Sequence, residues 1–313
     1  MLPAPRATME RVDVVIAGGG PAGLSAALML GRCCRRVVVI DAGEPRNRRA
    51  SAIHGYLTRD GVSPAELVRS AEAELARYPT VELRRGLVTD VTGTRGVFEV
   101  RDAEGGVIQA RRILLATGVI DVVPGIEGLA DLFGRSVHHC AHCDGYEYAG
   151  RPIGVYGQAG PGVEAGLAML AWSSDVVLLT DGRPLTPEDR RRCDAQGVAV
   201  RDDRVIRLEG RDGRLERVVF ADGSSLPREG LFLVAGQREQ SKLPAQIGCE
   251  INADGVVVTD EHDVTSVPGI YAAGDASVGE QMVVVAAAQG TVAAVKIHAS
   301  LWEEDLRARV RPI

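Results

Sequence analysis

Aromatic residues make up only 4% of the 313-residue chain. That scarcity argues against an all-β sandwich and leaves Val, Leu, Ile and Ala to fill the interior. Positive charge is not in excess either: the net charge of −6 gives no electrostatic reason to bind nucleic acid or anionic lipid. Small molecules or proteins remain as partners. Six cysteines in a chain of this length do not make a disulfide framework. The single C-x-x-C, Cys140 to Cys143, has no second pair with which to wrap a zinc ion, and Cys193 and Cys249 are isolated, so no metal is expected. The longest apolar stretch, Met282 to Val295, is shorter than a bilayer span of ~20 residues and is interrupted by Gln289 and Gly290. It predicts a buried helix. The opening residues, MLPAPRATMERVD, show no basic segment followed by an apolar stretch and a cleavage site, so the expected location is cytoplasmic.

Glycine is abundant, at 37 residues, and its placement is informative. In VDVVIAGGGPAGLSAALML, an apolar run from Val12 to Ala17 meets three glycines and then a helix-like series from Ala22. A second apolar run, Val37 to Gly43, ends in an acid, completing a β-α-β unit. Gly18, Gly20 and Gly23 form G-x-G-x-x-G between strand and helix. The first permits a tight turn, the second admits a pyrophosphate to the backbone, and the third lets helix and strand pack closely. Amides at the helix N-terminus face the phosphates. Asp41, 23 residues after Gly18, would accept hydrogen bonds from a ribose.

Further on, Ser63, Pro64 and Glu66 read as the start of an amphipathic helix. VELRRGLVTDVTG, GVFEVRDAEGG and VIQARRILLATG read as short strands. RPIGVYGQAGPGVEAGLAMLAWSSDVVLLTDG then repeats the opening pattern, which points to an internal duplication. VIRLEG, RLERVVFADG and GLFLVAG suggest another meander. The expected fold is α/β, with two Rossmann-like dinucleotide-binding domains, the second inserted into the first. Residues 1–118 and 247–313 would form one domain, and 119–246 the other. With 313 residues, each could bury its own core.

GGGPAGL at 18–24, LLATG at 114–118, CAHCDG at 140–145, GLFLVAG at 230–236 and TSVPGIYAAGD at 265–275 form an ordered set. With it the chain resembles the thioredoxin reductase family of two-dinucleotide-fold flavoproteins. The resemblance implies FAD in the first domain, contacted by Gly18, Gly19, Gly20, Pro21, Ala22, Gly23, Asp41, Ala42, Arg46, Asn47, Val88, Ala116, Thr117, Gly118, Gly274, Asp275, Val283 and Val284. Asp275 would meet the ribityl chain or phosphates, and the helix after Gln281 would offer amides to the pyrimidine end. In the second glycine turn Ala159 stands where close phosphate approach needs glycine. Thr180, Asp181 and Gly182 replace the basic cluster by which such reductases hold NADPH. Asp181 would repel a 2′-phosphate but could accept a ribose hydroxyl, so NADH use and loss of nucleotide binding both stay open.

A C-x-x-C pair closes a small disulfide whose sulfurs exchange with another dithiol. By resemblance, Cys143 would lie against the flavin, Cys140 would exchange with substrate, and Asp144 would relay a proton. His138, His139 and His142 are candidate bases, whereas His54, His262 and His298 carry no signal, and Cys33 and Cys34 read as helix packing. GEPRNRRASAIHGY at 43–56 and CDGYE at 143–147 are more similar to the dithiol oxidases of disulfide-containing natural products than to thioredoxin reductases proper. The preferred expectation is an FAD-dependent dithiol oxidase using a small-molecule dithiol and oxygen and releasing hydrogen peroxide. The alternatives are an NAD(P)H-dependent reductase of a thioredoxin-like protein and a non-catalytic flavoprotein scaffold. Family habit suggests a homodimer.

Overall fold

The computed structural model describes residues 10–309. The opening stretch read for a secretion signal falls largely at 1–9, outside them. From the N-terminal side the chain forms β1 (Glu10–Ala17), α1 (Pro21–Arg32), β2 (Val37–Asp41), α2 (Pro64–Leu75), β3 (Val81–Arg85), β4 (Val88–Thr94), β5 (Val97–Asp102) and β6 (Val107–Leu115). Next come β7 (Val119–Val122), α3 (Leu129–Leu132), β8 (Val137–His138), α4 (Ala141–Asp144), β9 (Ile153–Tyr156), α5 (Ala159–Met169), β10 (Val176–Leu179), α6 (Pro187–Gln196) and β11 (Ala199–Arg201). The remainder is β12 (Val205–Arg211), β13 (Arg214–Phe220), β14 (Ser225–Pro227), β15 (Gly230–Leu233), β16 (Gly236–Glu239), α7 (Leu243–Ile247), β17 (Ile270–Ala272) and α8 (Val283–Arg309).

Two compact units result, one of residues 10–48, 65–120 and 237–309, the other of 49–64 and 121–236. The first unit holds a sheet ordered β3-β2-β1-β6-β5-β4. β1, β2, β3, β6 and β17 run parallel, whereas β4, β5 and the first half of β6 form an antiparallel meander. The nine residues of β6 explain how it serves three neighbours: Val107 to Ala110 face β5 and Ile113 to Leu115 face β17. Val14 to Ala17 are all buried, as a parallel strand covered on both faces requires.

The sheet of the second unit is ordered β11-β10-β9-β15-β8, all parallel, beside a β12-β13-β14 meander. Strand for strand, β9, β10, β11 and β15 repeat β1, β2, β3 and β6, so the α/β fold and its duplication are observed. One expectation is corrected. Gly230–Leu233 does not extend the meander but lies in the parallel sheet beside β9, because all four of its residues are buried and an antiparallel sheet face open to water could not cover them.

Two boundaries also differ from expectation. Residues 49–64 group with the second unit, where the Arg49 guanidinium donates to the Ala130 carbonyl at 2.8 Å and His54 lies 3.5 Å from Glu147. Residues 237–246 group with the first, where Leu243 is buried in the same apolar cluster as Val88 and Cys249. β7 and β16 pair as a separate two-stranded ribbon.

Helix α1 starts at Pro21, whose fixed φ suits the first helical turn, and ends at Arg32. Cys33 and Cys34 therefore stand beyond it, and Cys34 is exposed at a φ of 56°. Neither packs within the helix as expected. Ala22, Leu24, Ala26, Ala27 and Leu30 of α1 share a core with Ala286, Ala293, Ala294 and Ile297 of α8. Small residues let the two backbones meet closely: a Cβ on Gly290 would lie 2.0 Å from the Ala22 carbonyl oxygen. Each fully buried Leu30 or Ile297 contributes about 1.5–3 kcal/mol. The 27 residues of α8 run well past Val295 and are long and apolar enough to cross a membrane, unlike the shorter stretch read from the sequence. Its buried stripe, Ala286 to Leu301, is the side that packs into the core.

Candidate active site

In the first unit the expected residues 18–23, 116–118, 274–275 and 283–284 lie at the C-terminal ends of β1, β6 and β17 and the N-terminal ends of α1 and α8, with Asp41 ending β2 and Val88 opening β4. Ligands of open α/β sheets bind at such a place. Gly18 needs its φ of +107°, and a Cβ there would meet the Ala116 carbonyl oxygen at 2.3 Å. A Cβ on Gly23 would fall 1.9 Å from the Gly18 oxygen, whereas Gly20 has nothing within 4 Å of its Cβ position. The turn is thus closed behind and open in front, which leaves the backbone free for a phosphate.

Asp41 accepts the Gly19 amide on one oxygen at 2.9 Å and the Gly43 amide and Arg85 guanidinium on the other, at 3.0 and 3.1 Å. It holds the turn together, and Ala42 follows it, exposed. Arg46 donates to Asp275 at 2.9 Å and to Gln281 at 2.7 Å, bringing together residues more than 200 positions apart; Asn47 beside it is half-buried. Ala116 donates its amide to Ala17, with Thr117 and Gly118 next in line at the mouth of the sheet. Gly274 packs on Ala22 and donates to the Gln289 side chain at 3.1 Å. Val283 and Val284 form the first turn of α8, and Val88 is buried at the start of β4. The residues fit a dinucleotide with its phosphates on the α1 turn.

The thiol pair belongs to the second unit. Cys140 and Cys143 form a disulfide with a Cα–Cα distance of 5.3 Å. Cys140 caps α4, and its sulfur accepts the Cys143 amide at 3.1 Å. Asp144 lies 3.2 Å from Nδ1 of His138, whose Nε2 is 3.1 Å from the Tyr148 hydroxyl; that hydroxyl donates to the Arg135 carbonyl at 3.0 Å. Burial, then the charge of Asp144, pushes the Tyr148 hydroxyl up to about 12.

The three histidines are therefore not equivalent. His138 is buried against Phe232, His139 stacks on Phe133 with Asp121 3.9 Å away, and His142 meets the edge of Trp172. Tyr148 was not singled out from the sequence, and nothing local marks it, since only the β8–β15 pairing decides which histidine turns inward. Among the described residues no group of three His, Cys, Asp or Glu side chains could hold a metal ion.

The second glycine turn keeps its closing contacts. A Cβ on Gly157 would meet Gly162 at 2.8 Å, but Ala159 sits at a φ of +49°, where a side chain is unfavourable. Asp181 is held by neighbouring strands. One oxygen accepts the Tyr156 hydroxyl at 2.7 Å and the other the Val205 amide at 2.9 Å. Burial first, then this bond, raises the Tyr156 pKa far above its ordinary range. Arg183 and Arg204, both exposed, bring positive charge to the same strand end, which the sequence reading had passed over.

The profile of the pyridine nucleotide-disulphide oxidoreductase family matches residues 12–290. Thioredoxin reductase aclD of Aspergillus oryzae is 33% identical over 92% of this chain and 96% of its own. Thioredoxin reductase tcpT of Claviceps purpurea is 33% identical over 86% and 87%. The crystal structure of HlmI superposes with a TM-score of 0.90 at 38% identity, covering 96% of this chain and 95% of that one.

Proposed function

Because the chain belongs to the pyridine nucleotide-disulphide oxidoreductase family, we propose that this thioredoxin reductase-like oxidoreductase is an FAD-dependent dithiol oxidase. Its substrate is a small-molecule dithiol, converted to an intramolecular disulfide through Cys140 and Cys143. The observation that carries the direction is the second nucleotide turn, where Ala159, at a φ of +49°, stands in the place that Gly20 takes in the first turn, and where the Asp181 carboxylate, which would repel a 2′-phosphate, is held by Tyr156 and Val205. Electrons then enter more readily from a dithiol than from a nicotinamide. The similarity of residues 43–56 and 143–147 to dithiol oxidases supports the same reading.

FAD would be held by the Gly18–Gly23 turn, by the Arg46–Asp275 pair and by the amides at the start of α8. When bound, it supplies a two-electron acceptor that oxygen can regenerate with release of hydrogen peroxide. The chain's own sulfurs do the exchange. By the family resemblance Cys140 is the sulfur that substrate attacks, and Cys143 leaves with the electron pair.

Arg183 and Arg204 favour the second reading, a reductase fed by NADPH, whose protein substrate would be thioredoxin-like. Anaerobic mixing with NADH and with NADPH separates the two. Absorbance of the bound flavin should persist with both nucleotides and bleach with dithiothreitol; bleaching by either nucleotide would replace the oxidase with the reductase. Cys140→Ser should keep the yellow colour and lose oxygen consumption with the dithiol. The proposed assembly is a homodimer, checked by light scattering.

A further inference from the structure

Helix α8 buries one face in the core of the first unit through Ala286, Gly290, Ala293, Ala294 and Ile297. Its other face carries Val284, Val285, Ala288 and Val292, where a helix that met only water would carry polar side chains. These four line a cavity of about 550 Å³, closed on its other side by residues 259–263. Gln289, on the same face, is fully engaged: its oxygen accepts the Gly274 amide at 3.1 Å and its nitrogen donates to the Val278 carbonyl at 2.9 Å. The helix wall is therefore apolar, and the facing turn is acidic.

The three acids of that turn differ. Glu261 stands at the rim, its side chain 87% exposed. Asp260 accepts the His262 and Val264 amides at 2.8 and 3.0 Å. Against the effect of burial, those amides hold its carboxyl below the ordinary range, so it stays charged. Asp263 is 5% exposed and lines the cavity, yet among the described residues its carboxylate receives no hydrogen bond. An enclosed acceptor without a donor is costly, and beside a second carboxylate the fitting donor is a cation.

We propose that this cavity is a binding site for a small organic ammonium ion, whose nitrogen donates to Asp263 beside Asp260 while its apolar body rests on Val284, Val285, Ala288 and Val292. The site is independent of the thiol pair and of the direction in which electrons flow. The cavity lies in the size range of small-molecule sites, roughly 300–1,000 Å³. A metal ion does not suit it, since among the described residues no group of three His, Cys, Asp or Glu side chains could hold one. An anion would meet Asp260, and a neutral apolar molecule would leave Asp263 without a donor.

Occupancy depends on pH in a stated direction. Burial first, then the charge of Asp260, pushes the Asp263 carboxyl up to about 7, and His262 acts in the opposite sense. Lys296 of α8 acts on Asp260, whereas no lysine or arginine acts on Asp263. Strand β17, which bonds to this turn through the Ala272 amide, brings Ile270, Tyr271 and Ala272, with the Tyr271 hydroxyl turned to Ser300. An ammonium ion binds the carboxylate and competes with its proton. Affinity is level above about pH 7 and falls about tenfold per pH unit below it.

The test is calorimetric titration of the flavin-loaded protein with 2-phenylethylamine and with its neutral counterpart 2-phenylethanol, at pH 8 and pH 6. An alkylammonium group titrates near pH ~10 and stays charged at both. At pH 8 the amine should bind at least about tenfold tighter than the alcohol, the worth of a hydrogen bond to a charged group. At pH 6 the amine should bind about tenfold more weakly and release about 0.9 proton per molecule, read from the heats in two buffers. Asp263→Asn should remove the preference for the amine, its pH dependence and the proton release. Asparagine tolerates the φ of 60° at this position, so the variant keeps its fold, which thermal melts check. Ala288→Phe should fill the cavity and weaken both compounds.

Equal affinity for amine and alcohol would overturn the proposal, as would a preference that survives Asp263→Asn. Ala288→Phe binding as wild type would place the ligand elsewhere and overturn it too. Absence of amine binding at pH 8, the result expected if a second copy of the chain covers this face of α8, would also defeat it.

Discussion

Asp263 is 5% exposed, yet among the described residues its carboxylate has no hydrogen-bonded partner beside the turn that Asp260 closes through the His262 and Val264 amides. It borders a pocket of about 550 Å³ walled by Val284, Val285, Ala288 and Val292 of α8. Burial first, then repulsion from Asp260, pushes its pKa from an ordinary 3.8 up to about 7. The folded chain therefore binds this proton more tightly than the unfolded chain. The resulting stability is complete below about pH 4 and is lost as pH rises through 7. The rise from 3.8 to about 7 corresponds to at most about 4 kcal/mol, at 1.36 kcal/mol per tenfold. Because the neighbouring pocket admits water, roughly half of that is expected. Asp263→Asn removes the charge, and asparagine tolerates the φ of 60° found there. At pH 8 the variant should therefore be more stable by about 2 kcal/mol, seen as a melting temperature higher by roughly 4 °C. At pH 5 the gain should shrink to less than half. Thermal melts at both pH values would refute the reasoning if the variant melted below wild type at pH 8, or if its advantage did not depend on pH.

Gly290→Val should drive a side chain into the Ala22 backbone, costing at least about 1–3 kcal/mol; calorimetry and the absorbance of retained flavin should fall together. Arg112 is wholly buried and spends its nitrogens on Ser300, the Arg111 carbonyl and Glu304. Arg112→Met should cost about 2 kcal/mol in denaturant unfolding, less than for a fully buried pair because Glu304 is 40% exposed. Arg46→Ala frees Asp275 and Gln281, removing charge-assisted bonds of about 1.5–3 kcal/mol. The variant should lose flavin on dialysis while its far-ultraviolet circular dichroism stays unchanged; full retention of flavin would contradict the assigned role.

The first nucleotide turn, the duplicated unit and the C-x-x-C pair were legible from residues alone. Each depends on backbone conformations and spacings set within a few consecutive positions: Gly18 needs its positive φ, Gly23 its missing Cβ, and β1 its unbroken apolar run. The family followed from several such motifs in order, and the match over 12–290 agrees. Where Asp181 points was not legible, because its partners Tyr156 and Val205 arrive from neighbouring strands.

The same reason separates His138 from His139. In sequence they are adjacent and chemically identical, and alternation along a strand says only that they face opposite ways. Pairing of β8 with β15 and the approach of Tyr148 decide which ring is enclosed. Short-range sterics and periodicity thus settled the turns, the strands and the sulfur spacing of this chain. Partners from distant segments, present only once the sheets have formed, settled what each carboxylate and imidazole touches and which of them the fold encloses.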